Sequence, residues 1–243
     1  MTALRLLQPR YLSVLETQTP TQFRDQVIRF GRSLGFDTVN AMIVLDHSLT
    51  NTEFLGVDNT PDGYVQSHAD HDLGRRDPVM QHCKRASLPI IWDQSTYVSH
   101  GQGPIWEEQA LYGFCTGVAL AIHLPGDRHF FIGVDRDRAL PEGAKAMTRV
   151  VADLQLFAVH AQEAAFRIFA PEIRSDSENP RLTARELEAL RWTMDGKLAW
   201  EVGEAMNISE RTAVFHLQNA VRKLRCKSKH QAVLKAIRMG IFS

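Results

Sequence analysis

Phosphate-binding side chains are concentrated at one end of this chain. Eight lysines and arginines follow Glu210 with no acidic residue among them: Arg211, Arg222, Lys223, Arg225, Lys227, Lys229, Lys235 and Arg238. Because the whole chain has a formal net charge of zero, this cluster is a local feature. Cations that gather along one segment are typical of a surface that binds nucleic acid.

Helix signals precede these cations. Thr183 is a good N-cap residue and Glu186 stands three residues later, which predicts a capping box at the start of a helix that ends near Met194. Gly196 then suits a helix end that requires a left-handed residue. A second, short helix is predicted over residues 199–206, so the cations follow a pair of helices.

A turn and a longer helix complete the pattern. Asn207 to Ser209 form the turn, and Ser209 is a good N-cap for a helix over residues 210–224. Its apolar face is formed by Ala213, Leu217, Ala220, Val221 and Leu224, and its outer face by Arg211, Val214, Phe215, Gln218, Arg222 and Arg225. A short helix, a tight turn and a longer helix with a cationic outer side fit the major groove of DNA. A three-helix bundle with a solvated charged face is the alternative interpretation.

This segment resembles the C-terminal DNA-binding domain of LuxR-type regulators. The matching residues are Leu182, Thr183, Arg185, Glu186, Leu190, Trp192, Gly196, Lys197, Glu201, Ile208, Ser209, Glu210, Thr212, His216, Asn219, Lys223, Leu224, Gln231, Ala232, Ala236 and Ile237. The resemblance implies a DNA-binding set in which Val214, Phe215 and Gln218 face bases. In the same set Arg211, Arg222 and Lys223 lie near phosphates, and Thr212 belongs to this surface.

Charge and cysteine usage limit what the rest of the chain does. From Asp176 onward there are 12 basic and 8 acidic residues, which leaves 16 basic and 20 acidic before it, so DNA affinity is localised. Cys83, Cys115 and Cys226 are too far apart for a metal or disulfide framework, which favours a reducing cytoplasm. The sequence shows no signal peptide and no apolar run of the roughly 20 residues that span a bilayer, so no membrane partner is expected.

Two domains and a linker are predicted. Residues 171–181 contain prolines, serines and alternating charges that cannot pack into a core. They separate a ligand-binding and dimerisation domain over residues 1–170 from a DNA-binding domain over residues 182–243. The second domain is expected to be all-α, with four helices that include the helix-turn-helix.

The first domain is expected to be α+β, an α-β-α sandwich. Helices are predicted over residues 21–34, 61–68, 77–87, 104–112 and 141–169, and strands over residues 38–46, 88–92, 117–124 and 129–134, the last two joined by a turn at Pro125-Gly126-Asp127.

This domain resembles the autoinducer-binding domain of the LuxR family. The matching residues are Asp77, Pro78, Val79, His82, Cys83, Leu88, Pro89, Ile90, Ile91, Trp92, Gly113, Phe114, Gly117 and Val118. The resemblance implies that Asp77 accepts a hydrogen bond from the amide of an acyl-homoserine lactone. It also implies that Trp92 donates from its indole N–H to the lactone carbonyl or packs on the ring. The residue types fit, because a carboxylate only accepts and an indole only donates.

Several pocket positions depart from the family pattern. Tyr64 stands where the family has a tryptophan that donates to the lactone carbonyl, and His68 where it has a tyrosine. Ala119 and Gly133 replace small hydroxyl residues, which leaves room for a bulky or aryl acyl group. The remaining predicted pocket residues are Val79, Ile105, Trp106 and Phe114, of which the last three wall the acyl end. An acyl-homoserine lactone is the expected ligand, and a "solo" receptor for a different small signal is the alternative.

Other classes of protein fit less well. The segment His68-Ala69-Asp70-His71-Asp72 lacks structural zinc spacing and is expected to be a polar loop. The chain has no nucleophile elbow, P-loop or dinucleotide fingerprint, so neither catalytic residues nor a cofactor are predicted. A response regulator controlled by phosphorylation would need an early acidic pair that residues 1–60 do not provide.

The sequence therefore predicts a cytoplasmic transcription factor gated by a diffusible signal. Its homodimer would form through the helix at 141–169 and a C-terminal helix near residues 231–239. Each recognition helix would read one half of a palindromic operator in double-stranded DNA.

Overall fold

A computed structural model describes residues 7–48, 51–61, 63–64, 73–171 and 182–242. The described residues form two compact units, one up to Pro171 and the other from Leu182 to Phe242. The predicted ligand residue His68 lies outside the described residues. The predicted linker at 171–181 also lies outside them, except for Pro171.

The first unit alternates helices with a sheet. Its helices are α1 (Pro9–Leu12), a 3-10 turn (Ser13–Glu16), α2 (Pro20–Ser33), α3 (Leu73–Arg76), α4 (Pro78–Arg85), α5 (Gln94–Ser99), α6 (Gly103–Ala110) and α7 (Ala144–Phe169). Its strands are β1 (Thr38–Ser48), β2 (Asn51–Asp58), β3 (Ile90–Trp92), β4 (Thr116–Leu124) and β5 (Arg128–Arg136).

The five strands form one antiparallel sheet in the order β2-β1-β5-β4-β3. The hairpin between β4 and β5 turns at Gly126 and Asp127, whose φ angles are 87° and 53°, as the Pro-Gly-Asp sequence predicts. Strand β5 lies between β4, its hairpin partner, and β1. The central pair of the sheet, β1 and β5, therefore joins strands that are distant in sequence.

The two faces of the sheet have different roles. One face presents Val39, Ala41 and Ile43 to α2 and α7, and Gly31 of α2 packs so closely that an added Cβ would lie 2.3 Å from Cγ2 of Val39. Successive side chains of a strand point to opposite faces, so the other face carries a second set. Helix α4 packs against β3 and β4 on this other face, where a separate apolar cluster forms. Helices and an antiparallel sheet thus occur together, which confirms the mixed α+β class.

Five described elements of this unit are absent from the sequence-based expectation, namely α1, the 3-10 turn, β2, α3 and α5. Strand β2 has a glycine in its interior, and its Phe54 is 56% exposed, which weakens the alternation that marks a strand. Helix α5 is short and polar, and its start depends on a capping box between Asp93 and Thr96. Helix α1 is a single turn that begins at a proline.

The second unit consists of four helices. They are α8 (Ala184–Met194), α9 (Ala199–Ala205), α10 (Glu210–Lys223) and α11 (Lys229–Arg238). The predicted capping box between Thr183 and Glu186 is present, and Ser209 caps α10 through the backbone N–H of Thr212. The core is formed by Ala189, Leu190, Val202, Met206, Ala213, Leu217, Ala220, Leu224, Ala232, Val233 and Ala236. Sequence periodicity predicted this core on α10, because each apolar residue recurs at helical spacing.

None of the helices in the described part of the chain is long and apolar enough to cross a membrane.

Candidate functional site

Most of the predicted ligand residues meet on the second face of the sheet. The buried cluster there contains Val79, Cys83, Trp92, Tyr97, Ile105, Phe114, Ala119, Ala121 and Phe131, and the partly buried Tyr64 and Trp106 pack against it. We call this group the aromatic cluster. The elements that contribute to it are α4, α5, α6 and strands β3 to β5, so it is assembled from residues far apart in the chain. An apolar cluster with a few polar groups at its edge is the usual composition of a small-molecule site.

Asp77 stands at the edge of the aromatic cluster as the N-cap of α4. Its Oδ1 accepts hydrogen bonds from the backbone N–H groups of Val79 at 2.7 Å and Met80 at 3.1 Å. The hydroxyl of Tyr97 approaches both carboxylate oxygens at 3.4 Å. Burial raises the pKa of Asp77 and outweighs these hydrogen bonds, which act to lower it. Oδ1 is thus committed to the helix, and among the described residues Oδ2 receives only the long contact from Tyr97.

Tyr97 and Gln109 are polar residues of the cluster that the sequence did not single out. Tyr97 is 2% exposed, packs edge-on against Trp92, and directs its hydroxyl to Oε1 of Gln109 at 3.4 Å. The amide nitrogen of Gln109 is buried and has no hydrogen-bond partner among the described residues. The capping motif at Asp93 was the available signal for the helix that carries Tyr97. These groups extend the polar edge from Asp77 towards α6.

Trp92 shares its surroundings with an acid on another strand. Gly117 pairs with Trp92 on one side and with Asp135 on the other. A Cβ added to Gly117 would lie 2.7 Å from Cε2 of Trp92 and 2.6 Å from Oδ1 of Asp135. Cε2 carries the indole nitrogen, so the donor edge of Trp92 and the carboxyl of Asp135 meet over a glycine that has no side chain to separate them. The sequence did not predict Asp135 as a site residue, because an acidic residue near the end of a strand is usually exposed to solvent.

Burial dominates the charge state of Asp135. Its side chain is on the same sheet face as the aromatic cluster, and the residue is 9% exposed. Among the described residues no hydrogen-bond donor reaches its carboxyl group. Burial, together with the nearby Asp77 carboxylate, raises the pKa of Asp135 to about 8.

Tyr64 packs against the buried residues of the cluster. Its ring lies 4.6 Å from that of Phe114 and 5.5 Å from that of Tyr112, centroid to centroid. Burial and the negative charges of Asp77, Asp135 and Glu108 raise the pKa of its hydroxyl. The phenol therefore keeps its proton at physiological pH and is able to donate a hydrogen bond.

The acyl end predicted from the sequence is also part of the cluster. Ile105 and Phe114 are buried, and the indole N–H of Trp106 donates to the carbonyl of Cys115 at 2.9 Å. Ala119 pairs with Gly133, but the ring of Phe131 lies over Gly133, with Cε1 and Cζ 3.3 Å from the position of an added Cβ. The space that the two small residues release is thus partly occupied by Phe131, a residue the sequence did not identify.

The aromatic cluster also contains a cysteine, Cys83. Burial and the charge of Asp77 raise the pKa of the Cys83 thiol to about 12, which keeps it in the unreactive protonated form. Within the described ranges no group of three or more His, Cys, Asp or Glu side chains is arranged to hold a metal ion.

The second candidate site is the outer face of α10. Arg211, Phe215, Gln218 and Arg222 are exposed there, and Thr212, Val214 and Lys223 are half-buried, while Ala213, Leu217 and Ala220 are buried in the core. Val214, Gln218 and Arg222 line one groove together with Lys227 and Lys229 from the start of α11. Cations from two helices therefore border the same groove as the predicted base-facing residues. This arrangement suits an interface with a polyanion.

Lys223 has a second partner that the sequence did not reveal. Its Nζ lies 2.7 Å from Oε2 of Glu186, whose side chain is 5% exposed, and the same oxygen accepts the backbone N–H of Thr183 at 2.7 Å. Burial acts to raise the pKa of Glu186, but the hydrogen bonds from Lys223 and Thr183 outweigh it, and the net pKa is lowered. Lys223 thereby joins α10 to the start of α8, and its predicted phosphate contact stays a prediction.

Comparison with known proteins assigns a family to each of the two units. The family described as the autoinducer binding domain matches residues 19–165, and the luxR family of bacterial regulatory proteins matches residues 180–236. The transcriptional activator protein VanR of Vibrio anguillarum is 30% identical over 200 residues, which cover 79% of each chain. The transcriptional activator protein AhyR of Aeromonas hydrophila is 25% identical over 243 residues, which cover 96% of this chain and 92% of the relative.

A solved structure has the same fold over both units. It is SdiA in complex with octanoyl-rac-glycerol, which aligns with a TM-score of 0.72 and 20% identity and covers 99% of this chain and 97% of that chain. Since one family match alone spans more than half of the chain, the assignment does not depend on this likeness. The chain belongs to the LuxR family of transcriptional regulators, with an autoinducer-binding domain followed by a LuxR-type helix-turn-helix.

Proposed function

We propose that this protein is a transcription factor whose activity depends on an acylated small molecule bound at the aromatic cluster. Residues 1–170 would bind the signal and dimerise, residues 182–243 would bind DNA, and residues 171–181 would connect them. The proposed compartment is the cytoplasm, and no catalytic step is part of the proposal.

The observation that carries the proposal is the state of Asp77. One oxygen is held by the start of α4, and the other faces a buried aromatic cluster with only a long contact from Tyr97. A half-buried acceptor beside an apolar cluster gains from a ligand N–H or O–H that excludes water, because an unsatisfied polar group in a dry site is costly. The adjoining apolar side chains would take up an acyl chain, at about 0.8 kcal/mol for each methylene removed from water.

An acyl-homoserine lactone is the proposed ligand class, with its amide N–H on Asp77 and a lactone oxygen near Trp92 or Tyr64. SdiA has been solved with octanoyl-rac-glycerol, an acylated molecule with a hydroxyl-bearing head. A solo receptor for such a non-lactone signal is the second candidate, and the carboxyl of Asp135 beside Trp92 favours it.

The test is thermal melting of the full chain against lactones of increasing acyl length. A dose-dependent rise in melting temperature is expected, since a ligand that binds only the folded state stabilises it by mass action. Asp77→Asn should remove most of this rise while keeping the fold, because asparagine is also a good N-cap residue.

Asp93→Asn is the matched control. Asp93 caps α5 in the same manner as Asp77 caps α4, but it is exposed and outside the aromatic cluster. It should leave the ligand response unchanged. If no acylated compound shifts the melting temperature of the wild-type chain, the proposal is wrong.

For DNA, the proposal is that a homodimer reads a palindromic operator through α10. Gel-shift titration should give tighter binding to a two-fold symmetric site than to either half-site. Equal affinity for a half-site and the full site would contradict the dimer.

A further inference from the structure

The contacts that the described residues make do not explain why a carboxyl group, that of Asp135, stands at this place in the fold. It is 9% exposed, and none of the described residues donates a hydrogen bond to it. Replacing water around a carboxyl with an apolar environment is costly unless hydrogen bonds compensate. An acid that is 9% exposed and receives no hydrogen bond from the described residues is therefore a candidate for contact with something that the folded chain binds.

Sheet register decides where this acid points. Asp135 is two residues after Gly133 and four after Phe131 on β5, so all three project from the face that carries the aromatic cluster. Across the sheet it stands beside Gly117 and then Trp92. The absence of a side chain at Gly117 brings Oδ1 of Asp135 and the donor edge of Trp92 to a common point.

Asp135 also lies within electrostatic range of the polar edge already described. The charge of Asp77 acts on Asp135, and the charge of Asp135 acts on the hydroxyls of Tyr64 and Tyr97. No lysine, arginine or histidine among the described residues neutralises this pair of acids by an ion pair. Two acid groups thus stand beside aromatic side chains, with Asp135 next to Trp92 and Asp77 next to Tyr97.

We propose that Asp135 is a ligand-contacting, specificity-determining residue, and that Asp77 and Asp135 together select an acylated signal whose head group carries at least two hydrogen-bond donors. This inference rests on the proposed function, because it assumes that the acyl chain is bound at the aromatic cluster. A homoserine lactone head with its single amide N–H satisfies one of the two acids. A head with two hydroxyl groups satisfies both.

Three octanoyl compounds separate these possibilities while keeping the buried chain constant. They are 1-octanoylglycerol with two hydroxyl donors, N-octanoyl-homoserine lactone with one N–H donor, and the 2,3-di-O-methyl ether of 1-octanoylglycerol with none. Isothermal titration of the full chain should give the tightest binding for 1-octanoylglycerol, by about tenfold or more over its dimethyl ether, since a ligand without hydroxyl donors leaves both acids without a hydrogen bond from the head group.

Asp135→Val and Asp135→Asn test the residue itself. Valine removes all hydrogen bonding in a side chain that suits a strand, and asparagine keeps the shape but not the acid. We expect Asp135→Val to weaken the binding of 1-octanoylglycerol by about tenfold and Asp135→Asn to weaken it less, because the amide oxygen of asparagine still accepts a hydrogen bond. Both should change the binding of the lactone by less than about threefold, because only the diol has a second donor for Asp135. Asp137→Asn, an exposed acid just beyond the same strand, should change neither. Lactone binding also reports that each variant is folded.

The outcomes distinguish the two proposals. The role of Asp135 is refuted if the lactone binds but 1-octanoylglycerol binds no more tightly than its dimethyl ether. It is also refuted if the Asp135 variants weaken the binding of all three compounds equally. In both cases the acyl-signal function stands. If none of the three compounds binds the wild-type chain, both proposals fail.

Discussion

The ammonium group of Lys223, on α10, lies 2.7 Å from the carboxylate of Glu186, in the first turn of α8. Glu186 is also the reciprocal partner of Thr183 in the capping box. One carboxylate therefore secures the start of one helix and holds the end of another, the helix predicted to enter the major groove. We therefore expect the orientation of that helix to depend on this ion pair.

Removal of this pair should destabilise the second unit. Lys223→Met leaves the buried Glu186 carboxylate without its cation, and breaking a buried pair costs roughly 3–5 kcal/mol. Because Lys223 is 32% exposed, we expect a smaller loss of about 2 kcal/mol in the free energy of unfolding. Faster amide hydrogen exchange in α8 and α10, with α7 unchanged, is the measurement.

A double variant controls for the loss of charge alone. Glu186→Gln combined with Lys223→Met removes both charges and should recover part of the stability lost in Lys223→Met. Additive losses in the double variant would show that the two side chains do not interact.

Stability of the ligand-free protein should fall as the pH rises towards 8. The pKa of Asp135 is raised to about 8 in the fold, against about 4 in an unfolded chain, so the folded state binds more protons between these values. The contribution of Asp135 to the free energy of unfolding is then full below about pH 4 and is lost as the pH rises to about 8. The free energy of unfolding falls by up to about 1.4 kcal/mol per pH unit in this range.

Urea denaturation from pH 5 to 8 measures this effect. The raised pKa of Asp77 acts in the same direction, so the comparison is between the wild-type chain and Asp135→Asn, which removes only one acid. The slope should be shallower in the variant. A slope of equal steepness in the two proteins would mean that Asp135 does not titrate in this range.

Gly117 should tolerate no side chain. A methyl group at this position would lie 2.6 Å from the carbonyl oxygen of Val134 as well as against Trp92 and Asp135. Because a backbone atom cannot move aside as a side chain does, Gly117→Ala should cost about 1–3 kcal/mol of unfolding free energy and weaken ligand binding. Gly74→Ala is the control, since an added Cβ there meets no atom within 4 Å. Thermal melting with and without ligand separates the two effects.

Arg222 and Gln218 should affect DNA binding in different ways. Both are exposed and line the same groove, but a guanidinium near phosphates contributes affinity without regard to sequence. Arg222→Ala should weaken all DNA equally and reduce the salt dependence of binding by about one counterion. Gln218→Ala should change which base is preferred, by about 1–3 kcal/mol at one position. Binding titrations at several salt concentrations on operator variants check both, and a change in base preference for Arg222→Ala would contradict its assignment to phosphate.

Local chemistry made the second unit predictable. Thr183, Glu186 and Ser209 are capping residues whose effect depends on neighbours within one helical turn, and the apolar positions of α10 follow a period that needs no distant partner. The same holds for the hairpin turn at Gly126 and Asp127 and for the cap of α4 at Asp77. Strand β2 was missed because an edge strand with an exposed Phe54 is stabilised by pairing with β1 rather than by its own sequence.

The sequence alone therefore determined the family, the mixed α+β class and the helix-turn-helix. Only the tertiary structure decided that Asp135 lies beside Trp92, that Phe131 covers Gly133, and that Lys223 is paired with Glu186. Each of these relationships joins residues from different elements. Their side chains meet through strand register or helix packing, and no local pattern in the chain encodes which distant residue will be opposite.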